Sequence, residues 1–387
     1  MPAPLPHRSP FGRTPDGQPV ECWRLESAAG VAAEILTYGG ILHALHVPDP
    51  AGRRASVVLS LPDVPAYAER SPYFGALIGR YANRIGSARF LLDGRLHRLP
   101  ANDRGHTLHG GPDGFHHRLW QAEPLPGALR LTLHSPDGDM GFPGGLDVSA
   151  TYALGEDGTL ALSFEARTDR ATVVNLTNHA YFNLAGTGAD DGPVSGSGSG
   201  SGSGPGPGPG GILGHMLRID ADGFLPVSTE SIPWGPEQQV AGTPFDFTSP
   251  RALGDGLRAP DPQVKAADGY DHCWVLRPSA DPGVPRTAAV LHDPGSGRTM
   301  EVRTTEPGIQ VYTANRLDGS LAGPDGRRYG PHDAVCLETQ HLPDSPNRAG
   351  YPSTVLRPGE VLRSRTEFRF PHLAGGTQRP TGGGERP

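Results

Sequence analysis

The chain has 387 residues, with 41 acidic against 34 basic side chains and a formal charge of -7. With no dense Lys/Arg run, that balance argues against nucleic acid or an anionic membrane surface as a partner. No stretch approaches the roughly 18 consecutive apolar residues of a membrane-spanning helix.

The opening segment, MPAPLPHRSPFGRTPDGQPVE, lacks the apolar run of a secretory leader. From there, short β-branched and apolar runs recur between turn signals: VAAEILTYG (31–39), then RRASVVLSL (53–61). PDVPAYAER (62–70) is the one short helical pattern. In FLLDGRLHRL, Asp93 and Gly94 stand between two such runs, the strongest short hairpin signal. Further strands are expected at 129–135, 146–154, 160–168 and 334–342. Many short strands at this spacing imply a β-sandwich or barrel. A Gly/Ser/Pro-rich tract at 187–211 is expected to be a flexible insertion in a single domain spanning 1–373, and 374–387 a disordered tail. The tract holds a GxGxxG match at Gly206, Gly208 and Gly211, but without the strand–turn–helix setting that phosphate binding needs. Cys22, Cys273 and Cys336 are odd in number and far apart, which suits a reducing, cytoplasmic setting better than a disulfide or zinc framework.

Several polar clusters interrupt this pattern. Read as a strand, NLTNHAYFNLAG (175–186) turns Asn175, Thr177, His179, Tyr181 and Asn183 to one face, and a mostly apolar set to the other. A solvated sheet face would answer for the polar row, yet a row without charges also suits a ligand rich in hydroxyls. GALIGRYANRIG supplies Arg80, Asn83 and Arg84; TLHGGPDGFHHRLW supplies His109 before two glycines that permit close backbone approach. His116 and His117 read as loop surface. GYDHCWVL carries Asp271, and PGIQVYTANRLDG carries Gln310, Tyr312 and Asn315. Glu338 sits inside an apolar strand, on one face with Cys336 and Gln340. A lone histidine or strand carboxylate is more often structural than catalytic. No histidine spacing resembles HExxH, so a metal site is not expected. Without a GxSxG elbow, the HGG run gives acyl transfer no support. Asp271 and Glu338 could pair as glycosidase carboxylates, a separation that sequence does not give.

These stretches, in this order from about residue 30 to residue 370, resemble the aldose 1-epimerase (galactose mutarotase) family. The carriers are NLTNHAYFNL, TLHGG, GYDHCWVL, PGIQVYTAN and CLETQHLPDSPN. The resemblance implies an all-β fold, a large twisted antiparallel β-sandwich with a sugar cleft on one face. It also implies interconversion of the α and β anomers of free aldohexoses (galactose, glucose) without a cofactor, in a monomer or homodimer. By position, the general acid falls on His179 and the general base on Glu338, with the glutamate ionised and the histidine able to donate near neutrality. Sugar contacts fall on Asn83, Arg84, His109, Tyr181, Asp271 and Gln310. The family departs from this chain in the long repetitive tract and at Cys273, where asparagine is usual. A mutarotase of hexose 6-phosphates would want an extra cationic pocket. A non-catalytic sugar-binding module would have no need to keep both His179 and Glu338.

Overall fold

The computed structural model describes residues 3–187 and 211–373. Residues 188–210 and 374–387, which hold most of the expected insertion, its glycine motif and the tail, lie outside the described residues. Two antiparallel sheets dominate. The larger has nine strands and runs from Gln121–Leu125 at one edge through Leu146–Leu154 and Leu160–Thr168 to Arg251–Ala252 at the other. The second, of six strands, is ordered Tyr181–Phe182, Val335–Gln340, Gly308–Tyr312, Asp271–Leu276, Ala221–Leu225 and Gln238–Gln239. A five-stranded N-terminal sheet, His7–Arg13 to Arg54–Ser56, packs beside them.

Strand alternation decides which side of the six-stranded sheet meets the core. Leu337, Val311, Ile309 and Trp274 point inward and join one apolar cluster with Leu131, Val148, Tyr152 and Phe164 of the larger sheet. At about 25 cal/mol per Å² of apolar area removed from water, this cluster is the main source of stability. The alternate positions, Cys336, Glu338, Gln310, Tyr312, Asp271 and Cys273, therefore stand together on the opposite face. Cross-strand register lines them up: Glu338 opposes Gln310, Gln310 opposes Cys273, and Tyr312 lies between Asp271 and Cys336.

The expected strands at 146–154 and 160–168 form with those bounds, whereas 53–61 shortens to Arg54–Ser56. Arg89–Leu92 and Arg95–Arg98 make the hairpin, with Asp93 and Gly94 both at positive φ, the geometry of a type I′ turn. The helix forms at Val64–Arg70, where the Asp63 side chain accepts the Ala66 N–H and caps the first turn. Two further short helices, Leu253–Leu257 and Pro262–Ala266, went unread because five residues show no helical period. Among the described residues no helix is long and apolar enough to cross a membrane.

Candidate active site

On the outward face of the six-stranded sheet, loops enclose a cleft of about 190 Å³. That is small beside the roughly 300–1,000 Å³ of drug-sized pockets and suits a single sugar ring. Its floor carries Glu338, Asp271 and Tyr312 from the sheet, with His179 and Tyr181 from the neighbouring edge; Asn83, Arg84 and His109 close one side.

His179 Nε2 lies 3.7 Å from Glu338 Oε1, with both side chains almost fully buried. The imidazole is held between Tyr73 and Tyr181, whose ring centroids lie 5.7 and 5.1 Å away, and edge-on to His109 at 5.3 Å. His179 Nδ1 and Glu338 Oε2 are buried without a hydrogen-bond partner. Unsatisfied polar atoms of this kind are costly and mark a place where another molecule's polar groups are expected. Burial, reinforced by the nearby Asp271 charge, pushes the Glu338 carboxyl well above the usual range. Burial pulls His179 down to about 4, only partly opposed by Asp271. Both groups therefore favour their neutral forms, the reverse of the ionised glutamate and protonated histidine expected from reference values.

His109 and Asn83 clamp each other. The Asn83 N–H donates to His109 Nδ1 and the His109 N–H to the Asn83 carbonyl, with both residues at positive φ. Non-glycine residues held in that region cluster at functional sites. Next to them Gly110 has no substitute, since a Cβ there would come within 2.1 Å of the Gly79 carbonyl. Burial lowers His109 far below its ordinary pKa, so its ring is neutral. Accepting from Asn83 uses its single lone pair and leaves Nε2–H as a donor.

His109, His179 and Glu338 each offer a donor atom, and these lie within 4.8 Å of one another. A metal would nevertheless have to displace the Asn83–His109 bond, because a neutral imidazole has one free lone pair. The donor set fits an ion poorly.

Arg84 Nε donates to Asp103 Oδ2 at 2.7 Å, and Arg104 holds the same carboxylate. Gln310 stands opposite Glu338 on the sheet: its Nε2 donates to Asp271 Oδ1 at 2.7 Å and orients that carboxylate, while its Oε1 is buried without a hydrogen-bond partner. The Tyr181 hydroxyl donates to the Pro72 carbonyl, and both residues line the cleft.

Of the polar row expected to face a ligand, only His179 and Tyr181 do so. The segment breaks into Thr177–Asn178 and Tyr181–Phe182, each paired with a different strand. Asn175 donates to the Ala82 and His341 carbonyls, Thr177 to that of Thr339, and Asn183 to that of Asp333; all three tie backbone together. His116 is not loop surface: it is buried against Tyr73 and pulled down to about 3 by that burial. Arg80 is likewise structural, donating to the carbonyls of Ser135, Pro136, Pro143 and Gly144. Asn315 donates to the carbonyls of Ala267 and Tyr270. Tyr73, Asp103, Arg104 and Arg316 also line the cleft, and no motif in the sequence marks them. Tyr312 was legible, two residues from Gln310 on one strand face.

A cleft lined with buried titratable groups and polar side chains, set on an antiparallel sandwich, fits a carbohydrate-handling protein. The profile of the family described as aldose 1-epimerase matches residues 21–369, and the chain belongs to that family. It is 39% identical to the galactose mutarotase of Rattus norvegicus over 94% of this chain and 98% of the relative. To the aldose 1-epimerase of Escherichia coli it is 34% identical, covering 92% and 96%. Among solved structures, the galactose 1-epimerase of Lactobacillus acidophilus superposes with a TM-score of 0.77 at 26% identity, over 94% of this chain and 98% of that one.

Proposed function

We propose that this chain interconverts the α and β anomers of free aldohexoses such as galactose and glucose, with His179 and Glu338 moving the protons. Mutarotation opens a hemiacetal, turns the aldehyde about C1–C2 and recloses the ring on the other face. A proton must leave the anomeric hydroxyl while another reaches the ring oxygen. The observation that carries the reading is the buried His179–Glu338 pair, with one nitrogen and one oxygen left unpartnered.

Glu338 acts as base toward the anomeric hydroxyl and His179 as acid toward the ring oxygen, and the roles exchange on closure. The pair needs one proton between them, and neutral or ion-paired forms hold the same number. Sugar hydroxyls that donate to Glu338 favour its ionised form, which shifts the proton to His179, where the charge of Asp271 supports it. Asn83, Arg84, His109 and Asp271 hold hydroxyls, while Gln310 and Tyr181 fix Asp271 and the wall beside it. Clamping both ends keeps the opened chain from escaping before it turns. All these groups come from one chain, so a monomer suffices and a homodimer would work equally well. One apolar cluster spans both large sheets and supports a single catalytic domain over 1–373. The unpaired, buried cysteines support a reducing, cytoplasmic setting.

Polarimetry on freshly dissolved α-D-galactose and α-D-glucose tests the reading. Protein should speed the decay to equilibrium rotation well beyond the buffer rate; unchanged decay for both sugars would overturn it.

A further inference from the structure

Three arginines and three carboxylates line the cleft: Arg84, Arg104 and Arg316 with Asp103, Asp271 and Glu338. Their pairing is uneven. Asp103 takes both Arg84 and Arg104. Asp271 takes the Gln310 amide, and Glu338 faces the His179 imidazole at 3.7 Å. Arg316 is left over. Its backbone N–H donates to the Tyr312 hydroxyl, which fixes the turn beside the cleft at 3.1 Å. Its side chain is exposed, and among the described residues no carboxylate forms an ion pair with it. An unpaired guanidinium at the rim of a site this small offers a planar two-donor fork to an anion on the bound molecule.

Resting on the mutarotase reading, we propose that Arg316 fits the cleft to aldoses that carry a carboxylate, the aldohexuronic acids, by pairing with that group at the rim. The carboxylate of such a sugar is borne on the ring carbon next to the ring oxygen, and so stays close to the reacting end. One fork matches one monoanionic carboxylate. A phosphate carries nearly two charges and three acceptor oxygens, and would call for more than one free cation.

The test compares mutarotation of glucose, glucuronic acid and glucose 6-phosphate, corrected for buffer rates, in the wild type, Arg316→Gln and Arg316→Lys. The wild type should turn over glucuronic acid with a KM no higher than that for glucose. In Arg316→Gln, the ratio of kcat/KM for glucuronic acid to that for glucose should fall at least tenfold, through KM, and added salt should narrow the gap. Arg316→Lys should recover part of the ratio, because the charge remains while the fork is lost. Equal losses on every sugar would make Arg316 an ordinary wall residue and overturn the proposal. A loss confined to glucose 6-phosphate would overturn the carboxylate assignment, as would a wild type that ignores glucuronic acid while turning over glucose. Failure on all three sugars, by contrast, is failure of the mutarotase reading itself.

Discussion

Glu338 Oε1 and His179 Nε2 face each other across 3.7 Å, from two strands that come together only in the folded sheet. Burial drives each toward its uncharged state, and the pair still retains one proton to transfer. Its consequences for pH, stability and turnover can each be measured.

The kcat/KM profile reports the free enzyme's acid and base. A second proton enters the pair only as pH falls through the His179 value of about 4. The acid limb should therefore be half-complete near about 4, with kcat/KM flat above about pH 5 into the neutral range. The alkaline limb should follow loss of the raised Glu338 proton. A midpoint near an ordinary histidine value of about 6.5 would contradict the burial argument.

Glu338 should also cost stability. Its pKa is raised on folding, so its contribution is fully present below the unfolded value and is lost as pH rises through the folded one. Glu338→Gln removes the ionisable group. Thermal melts should show the variant gaining on the wild type as pH rises above about 4, by about 1–2 °C in Tm per kcal/mol relieved for a domain of this length. A difference in Tm that does not change with pH would sink this assignment.

On the proposed reading Asp103 acts by positioning Arg84, whose Nε donates to it at 2.7 Å. Asp103→Asn weakens its hold on Arg84 and Arg104, and the KM for galactose should rise roughly tenfold, equivalent to ~1.4 kcal/mol, with kcat changed far less. Arg84→Ala should do the same or more. A fall in kcat at constant KM would place Asp103 in the chemistry instead.

Arg80 lies outside the cleft, and its loss should be structural. Arg80→Met leaves the carbonyls of Ser135, Pro136, Pro143 and Gly144 without that donor. Each unsatisfied buried group costs about 1–3 kcal/mol, so denaturant unfolding should show a loss of at least ~3 kcal/mol. A fully stable but inactive variant would argue against this role.

Activity should persist after exhaustive chelation, since His109 already spends its lone pair on Asn83. Activity lost to chelator and restored by a divalent ion would show that the three donors bind metal after all.

How much of this was legible before folding follows from distance along the chain. Period-two alternation put Glu338, Cys336 and Gln340 on one strand face, and the strand Val335–Gln340 forms with that alternation. The same rule failed at Asn175–Asn183, because it assumes an unbroken strand, and this one changes partners between Asn178 and Tyr181. Asp103, Arg104 and Arg316 had no signal: each reaches the cleft from a loop whose path is set by contacts far away in sequence. The neutral preference of the His179–Glu338 pair was hidden for a related reason. Reference pKa values describe groups in water, and burial is a property of the whole fold.

The central claim is that His179 and Glu338 form one proton relay, and Glu338→Gln tests it most directly. The amide keeps the shape of the carboxyl and still accepts a hydrogen bond, but cannot take the anomeric proton. Polarimetry on α-D-galactose, with affinity measured separately by calorimetry, should show kcat down by roughly two to four orders of magnitude and affinity changed far less. His179→Asn should lose about as much, and the double variant little more than either alone, because removing one half of a relay disables both. Near-normal turnover in Glu338→Gln with sugar binding lost would contradict the account and make Glu338 a clamp, with Asp271 the next candidate for the base.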